Sequence, residues 1–227
     1  FEWMLHGADE VTVISSYLAE VARLYRYRGK IHLIPNGVAL DEFGVAEPIP
    51  KKEPPVIITA SRLVEKNGID TLIRACARLK GRIAGDGPER LRLERLVEGL
   101  ELQRDVRFLG NVPHENLPAL LHEARIFVRL SRSEGMGNSF VEALAAGVPV
   151  IGTPVGGIPD IITDGETGLF ARVDDPEDAC DKMVQLLSDR ELARRLVRNG
   201  ERRVRERFLW SEIGKMYARI FDVAPSP

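Results

Sequence analysis

The chain has 227 residues, 44% of them apolar, which suits one α/β domain with part of a second and excludes a disordered or fibrous protein. Its 32 Lys and Arg stand against 34 Asp and Glu, a balance that leaves no electrostatic footprint for nucleic acid and no acidic tail. No apolar run approaches the ~20 residues that span a bilayer, and no basic-then-apolar leader opens the chain. The two cysteines, Cys76 and Cys180, lie in apolar helical patterns that suggest neither a disulfide nor a zinc site, so the reading is a soluble, cytoplasmic protein.

In chain order, "FEWMLHGADEVTVIS" starts without Met, in what reads as a helix end running into a strand. Strands are expected at 10–14 and 31–35, with a helix at 17–26 between them. Two strands and a helix are too little for a core of their own, so residues 1–42 are expected to be the remnant of a preceding domain. "GVAEPIPKKEPP" holds four prolines and no apolar period, which predicts a linker over residues 43–55. From 56 to 207, Val- and Ile-rich runs at 56–60, 82–85, 106–109, 126–130, 148–152 and 168–171 alternate with helical patterns at 69–79, 88–99, 115–123, 139–146 and 176–187. That alternation predicts an α/β, Rossmann-like, mostly parallel sheet with helices on both faces. The C-terminus is helical, with a last helix in 208–227. Only "RIAG" separates the helix ending near Leu79 from the turn "DGP", which predicts a short strand and a missing loop near Lys80 to Arg82.

Parallel sheets bind ligands beyond the carboxyl ends of their strands, and three loops fall there. In "SRSEGMGNSF", Gly135 and Gly137 free the backbone to approach a ligand. The helix that follows offers unpaired N–H groups and a dipole that favours an anion. Ser139 and Glu142 match a capping box, a structural use that competes with a ligand role for Glu142. Glu134 precedes the helix, where no cap needs a carboxylate, and can accept hydrogen bonds from ligand hydroxyls. In "SRLVEKNG", Arg62 and Lys66 suit a diphosphate by charge-assisted hydrogen bonds. In "GDGPER", Pro88 at the first helical position with Asp86 or Gly87 as cap is a helix start. Gly85 and Gly87 alone do not make a dinucleotide fingerprint, which disfavours an oxidoreductase. The Arg- and Glu-rich segment after Asp189 reads as a solvated, ion-paired face, with attraction to anionic lipid as the minority reading.

In order, "IPNGVALDEF", "SRLVEKNGIDTLIRACARL", "IAGDGPERLRLERL" and "VRFLGNVPHENLPALLHEARIFVRLSRSEGMGNSFVEALAAGVPVIGTPVGGIPDIITDGETGLF" resemble the donor-binding half of the retaining glycosyltransferases of family four. These have the two-domain glycosyltransferase-B fold. The most diagnostic element is the pair of glutamates, Glu134 and Glu142. The resemblance implies that Arg62 meets the donor diphosphate and that Glu134 contacts the donor sugar. It implies that Gly135, Met136, Gly137, Asn138 and Ser139 present backbone to sugar and phosphate, that Glu142 binds the ribose hydroxyls, and that Val112 lies against the nucleobase. A lysine is common in the family at the position of Asn67, so either Lys66 reaches the phosphate from one place earlier or Asn67 offers a neutral hydrogen bond.

The implied function is transfer of a hexose-type sugar from a nucleoside diphosphate sugar to an acceptor hydroxyl with retention, in polysaccharide or glycoconjugate synthesis. No cofactor or metal is implied, and the acceptor belongs to the missing N-terminal domain. The implied setting is the cytoplasm, with a peripheral membrane contact. A chain lacking that domain is expected to be inactive alone. The alternative, favoured by Asn67 and the truncated start, is a non-catalytic nucleotide-binding module.

Overall fold

The computed structural model describes residues 5–44, 55–76 and 79–221. The expected linker lies almost wholly outside the described residues. Six parallel strands form the main sheet: β3 (Val56–Ala60), β4 (Lys80–Ala84), β5 (Val106–Gly110), β6 (Ile126–Val128), β7 (Val150–Gly152) and β8 (Leu169–Phe170), in the order β5-β4-β3-β6-β7-β8. A separate parallel pair joins β1 (Glu10–Val13) to β2 (Lys30–Leu33) around helix α1 (Ser16–Leu24). The short helix α2 (Leu40–Phe43) follows.

The central strands read as unbroken apolar runs because both faces of a parallel sheet are covered. Successive side chains point to opposite faces, so Ile57, Val128 and Ile151 pack on one side while Ile58, Phe127 and Val150 pack on the other. The first face is covered by α3 (Ile69–Ala75), α4 (Arg90–Gly99) and α7 (Pro176–Ser188), through Leu72, Leu93 and Met183. The second is covered by α5 (Leu117–Glu123) and α6 (Asn138–Ala145), through Leu121 and Phe140. The long α8 (Arg190–Arg207) buries Leu192, Leu196, Gly200 and Val204 along one stripe and turns its arginines outward, except the half-buried Arg203, whose Nη1 donates to the Ile161 carbonyl at 3.2 Å. After it comes α9 (Trp210–Ile220). Cys76 is buried and Cys180 half-buried, both free, and burial pushes the Cys76 thiol up to about 12.

Three local expectations are corrected. The strand expected from Arg82 begins at Lys80 and pairs along all five residues of β3, so no truncated strand is found. The helix expected from Pro88 begins at Arg90: residues 88 and 89 form a turn, and Asp86 caps nothing but the amide of Gly87, by an Oδ1 hydrogen bond of 2.7 Å. The helix expected from Glu115 begins at Leu117 after a 3-10 turn, His114–Asn116.

Candidate active site

The chain runs outward from β3 to β4 and β5, then returns to place β6 on the other side of β3. Such a reversal leaves a crevice at the carboxyl ends of the strands, because the loops there diverge. A cleft of about 520 Å³ lies at that end. Ala60, Ser61 and Arg62 line it after β3, Ala84 and Asp86 after β4, Asn111 and Val112 after β5, and Ser139 and Glu142 from the first turns of α6. A larger, open hollow of about 680 Å³ between α1 and β2 is walled by Ala19, Leu24, Ile31 and Leu33 with Glu20 and Arg23, all from that one helix and strand, whereas the cleft gathers its lining from the ends of three strands and a helix start.

Four buried side-chain polar atoms have no partner among the described residues: Thr59 Oγ1, Ser61 Oγ, Arg129 Nε and Ser131 Oγ. All four stand at the carboxyl ends of β3 and β6. Natural interiors rarely leave such groups unpaired; all four atoms are shielded within the protein, and of their residues Ser61 lines the cleft.

The loop between β6 and α6 is shaped by glycine. Gly137 sits in the left-handed region (φ 94°) and is the N-cap of α6, with no side chain satisfying the first amides. This overturns the capping box. The helix starts two residues earlier than a box needs, at Asn138, so Ser139 is already its second residue and turns toward β6. Its Oγ accepts from Arg129 Nη1 at 3.0 Å. Glu142, released from any cap, faces the cleft and lies 3.1 Å from His114 Nε2. The first turns of α6, whose amides have no side-chain cap, thus wall the cleft through Ser139 and Glu142, and a helix start of this kind favours an anion.

Behind this wall is an ion pair that the sequence did not reveal. Arg129 and Glu134 have side chains only 12% exposed, and Arg129 Nη2 donates to Glu134 Oε2. Glu134 Oε1 also accepts from Gly135 N at 3.0 Å. Burial lowers the pKa of Arg129, opposed by the charge and hydrogen bond of Glu134; a guanidinium nonetheless stays charged. Arg129 Nη2 reaches Asn67 Oδ1 at 3.3 Å, and Asn67 Nδ2 donates to the Arg62 carbonyl at 2.6 Å.

The residues singled out in the sequence thus divide. Arg62, Val112, Ser139 and Glu142 line the cleft together. Glu134 and Asn67 stand behind it, joined through Arg129. Lys66 is exposed in the 3-10 turn Glu65–Asn67, whose carbonyls are held by Arg132: its N–H meets Lys66 O at 2.7 Å and its Nη1 meets Glu65 O. The Met136 side chain is buried, with its sulfur accepting from Asn36 N at 3.4 Å, so only its backbone is available to a ligand. Asn138 is tied to the same neighbour, its Oδ1 accepting from Asn36 Nδ2 at 3.1 Å. Arg129, Arg132 and His114 were missed. For Arg129 a signal existed, since an arginine inside the apolar run "IFVRL" cannot be buried without a partner.

A parallel sheet with its cleft at the switch point, walled by a glycine-turned helix start, defines one half of a glycosyltransferase-B fold. The family model described as Glycosyl transferases group 1 matches residues 44–203, and the chain belongs to that family. It is 33% identical over 186 residues to the N-acetyl-alpha-D-glucosaminyl L-malate synthase of Bacillus anthracis, covering 79% of this chain and 47% of that protein. It is 30% identical over 235 residues to a GDP-mannose-dependent alpha-(1-6)-phosphatidylinositol monomannoside mannosyltransferase of Mycobacterium tuberculosis, covering 93% of this chain and 61% of the other. The structure of a sucrose-phosphate synthase from Thermosynechococcus elongatus superposes with a TM-score of 0.88 at 31% identity, over 98% of this chain and 61% of that one. The chain therefore spans about half to three fifths of the length of these relatives.

Proposed function

We propose that this chain is the donor half of a retaining glycosyltransferase, which moves a hexose-type sugar from a nucleoside diphosphate to an acceptor hydroxyl. The observation that carries the reading is the cleft itself, which Arg62 lines together with Ser139 and Glu142 of the uncapped first turns of α6, at the strand-order reversal. As the sugar–oxygen bond breaks, negative charge builds on the leaving phosphate. Preorganised donors placed where that charge develops lower the barrier. Glu142 is suited to ribose hydroxyls and Val112 to the base; Glu134 orients the sugar.

Structural neighbours support a nucleotide ligand: Anabaena Alr3699/HepE, 20% identical, was solved in complex with UDP. The two curated relatives are named for different sugars, N-acetylglucosamine and mannose, so the donor stays at the level of a nucleoside diphosphate hexose. The acceptor and its binding surface belong to the half of the protein outside this sequence, at the cytoplasmic side, and the chemistry proceeds without a metal ion.

The test joins this chain to a complete N-terminal half and assays transfer with and without EDTA. Turnover insensitive to EDTA and reduced about 10²-fold or more by Arg62→Ala, the scale of one lost transition-state donor, is the expected result. Binding of UDP, GDP or ADP without turnover would instead establish a non-catalytic module.

A further inference from the structure

Arg129 holds three elements of the site at once. Nη1 donates to Ser139 Oγ, while Nη2 serves Asn67 Oδ1 and Glu134. Two consequences follow for the ligand. Asn67 is 2% exposed and lies outside the cleft lining, with one amide proton on the Arg62 carbonyl and its oxygen on Arg129, so it does not present a donor to a phosphate in the cleft. Lys66 lies outside the cleft lining. The cation standing directly behind the cleft wall is therefore Arg129.

Ser139 is the link between that cation and the cleft. Its oxygen accepts from Arg129, and its own proton finds no acceptor among the described residues. Ser139 lines the cleft, so an oxygen in the cleft is the acceptor it lacks. The carboxylate of Glu134 sits at Nη2, on the other arm of the guanidinium, which leaves the positive end of the pair directed at Ser139.

We propose that Arg129 is the positioning residue for the anionic part of the ligand. It polarises the Ser139 hydroxyl toward a diphosphate oxygen and fixes Glu134 at the sugar side, placing a buried charge one hydrogen bond behind the wall. The inference rests on the reading of the cleft as a nucleoside diphosphate site.

Titration of this chain with UDP, GDP and ADP, and with the nucleoside of whichever binds, tests it. Arg129→Gln and Ser139→Ala are each expected to weaken diphosphate binding about tenfold, the scale of one charge-assisted hydrogen bond, with nucleoside affinity unchanged. The double variant should lose no more than either single one, because the hydroxyl acts through the guanidinium. Equal weakening of nucleoside and diphosphate, or single losses that multiply in the double variant, would overturn the role of Arg129. If Arg129→Gln does not fold, Ser139→Ala decides alone, since it leaves the buried ion pair in place: an unchanged diphosphate affinity overturns the proposal. A wild-type chain that binds none of the three diphosphates overturns the reading of the cleft, and the inference with it.

Discussion

Gly156 lies in the left-handed region (φ 55°), and a Cβ there would stand 1.7 Å from the carbonyl oxygen of Glu134. Neither strain nor clash can be relieved by moving a side chain, because the opposing atom is backbone. Gly156→Ala is therefore expected to cost roughly 1–3 kcal/mol of stability, read as a lower melting temperature, and to shift Glu134 enough to weaken sugar recognition more than nucleoside binding. Asp70 makes a different kind of prediction. Burial raises its carboxyl pKa, but the hydrogen bond and charge of Arg132 and the charge of Arg92 outweigh it and hold the group below its ordinary value of 3.8. A depressed acid stabilises the fold above its unfolded pKa and loses that contribution as pH falls through the native one. The stability difference between the wild type and Asp70→Asn should thus be constant near neutrality and shrink only below pH 3.8, as measured by denaturant titration across that range.

At the scale of elements, α6 is held on the sheet by Phe140, whose ring meets Phe127 of β6 edge-on with centroids 5.4 Å apart. Both are fully buried. Phe140→Ala should cost about 3–5 kcal/mol and release the helix start that walls the cleft, so ligand-induced thermal stabilisation should fall as well. The strands beneath it were plain in the sequence because burial on both faces leaves apolar runs, as in β6 and β7. What was not legible came from places where one residue has two readings. "SFVE" satisfies the pattern of a capping box, and only the left-handed Gly137 decides that the helix has already begun. "IFVRL" reads as strand throughout, and period-two alternation does not say that its arginine turns inward to meet a glutamate five residues on. "RIAG" looks short because Lys80 and Gly81 resemble a loop; register with β3 recruits them into the strand. The glycines and acids of the β6–α6 loop were recognisable as a candidate site, but the arginine that bonds to Glu134 and Ser139 was not.

Across the whole molecule, residues 36–38 are gripped from two sides. Asn36 bonds to the site loop at Met136 and Asn138, while Val38 N donates to Phe208 O at 2.7 Å and bridges Leu209. The Trp210 ring covers Gly37, where a Cβ would come within 2.6 Å of it. A chain ending at Arg207 loses both the hydrogen-bond acceptor and the covering ring. It is expected to melt at a lower temperature than the full chain and to bind nucleoside diphosphate more weakly, although no cleft residue is removed.

The pairing of Val38 with Leu209 joins positions about 170 residues apart in sequence, so the entropy of closing that loop is met late. On the ribosome, every residue lining the cleft has been made before the partner of Val38 exists. A nascent chain stalled before Trp210 holds all of its site residues with one of their supports still absent. Capacity to bind should therefore rise once more when Trp210 has been made, and in refolding it should trail the burial of the sheet.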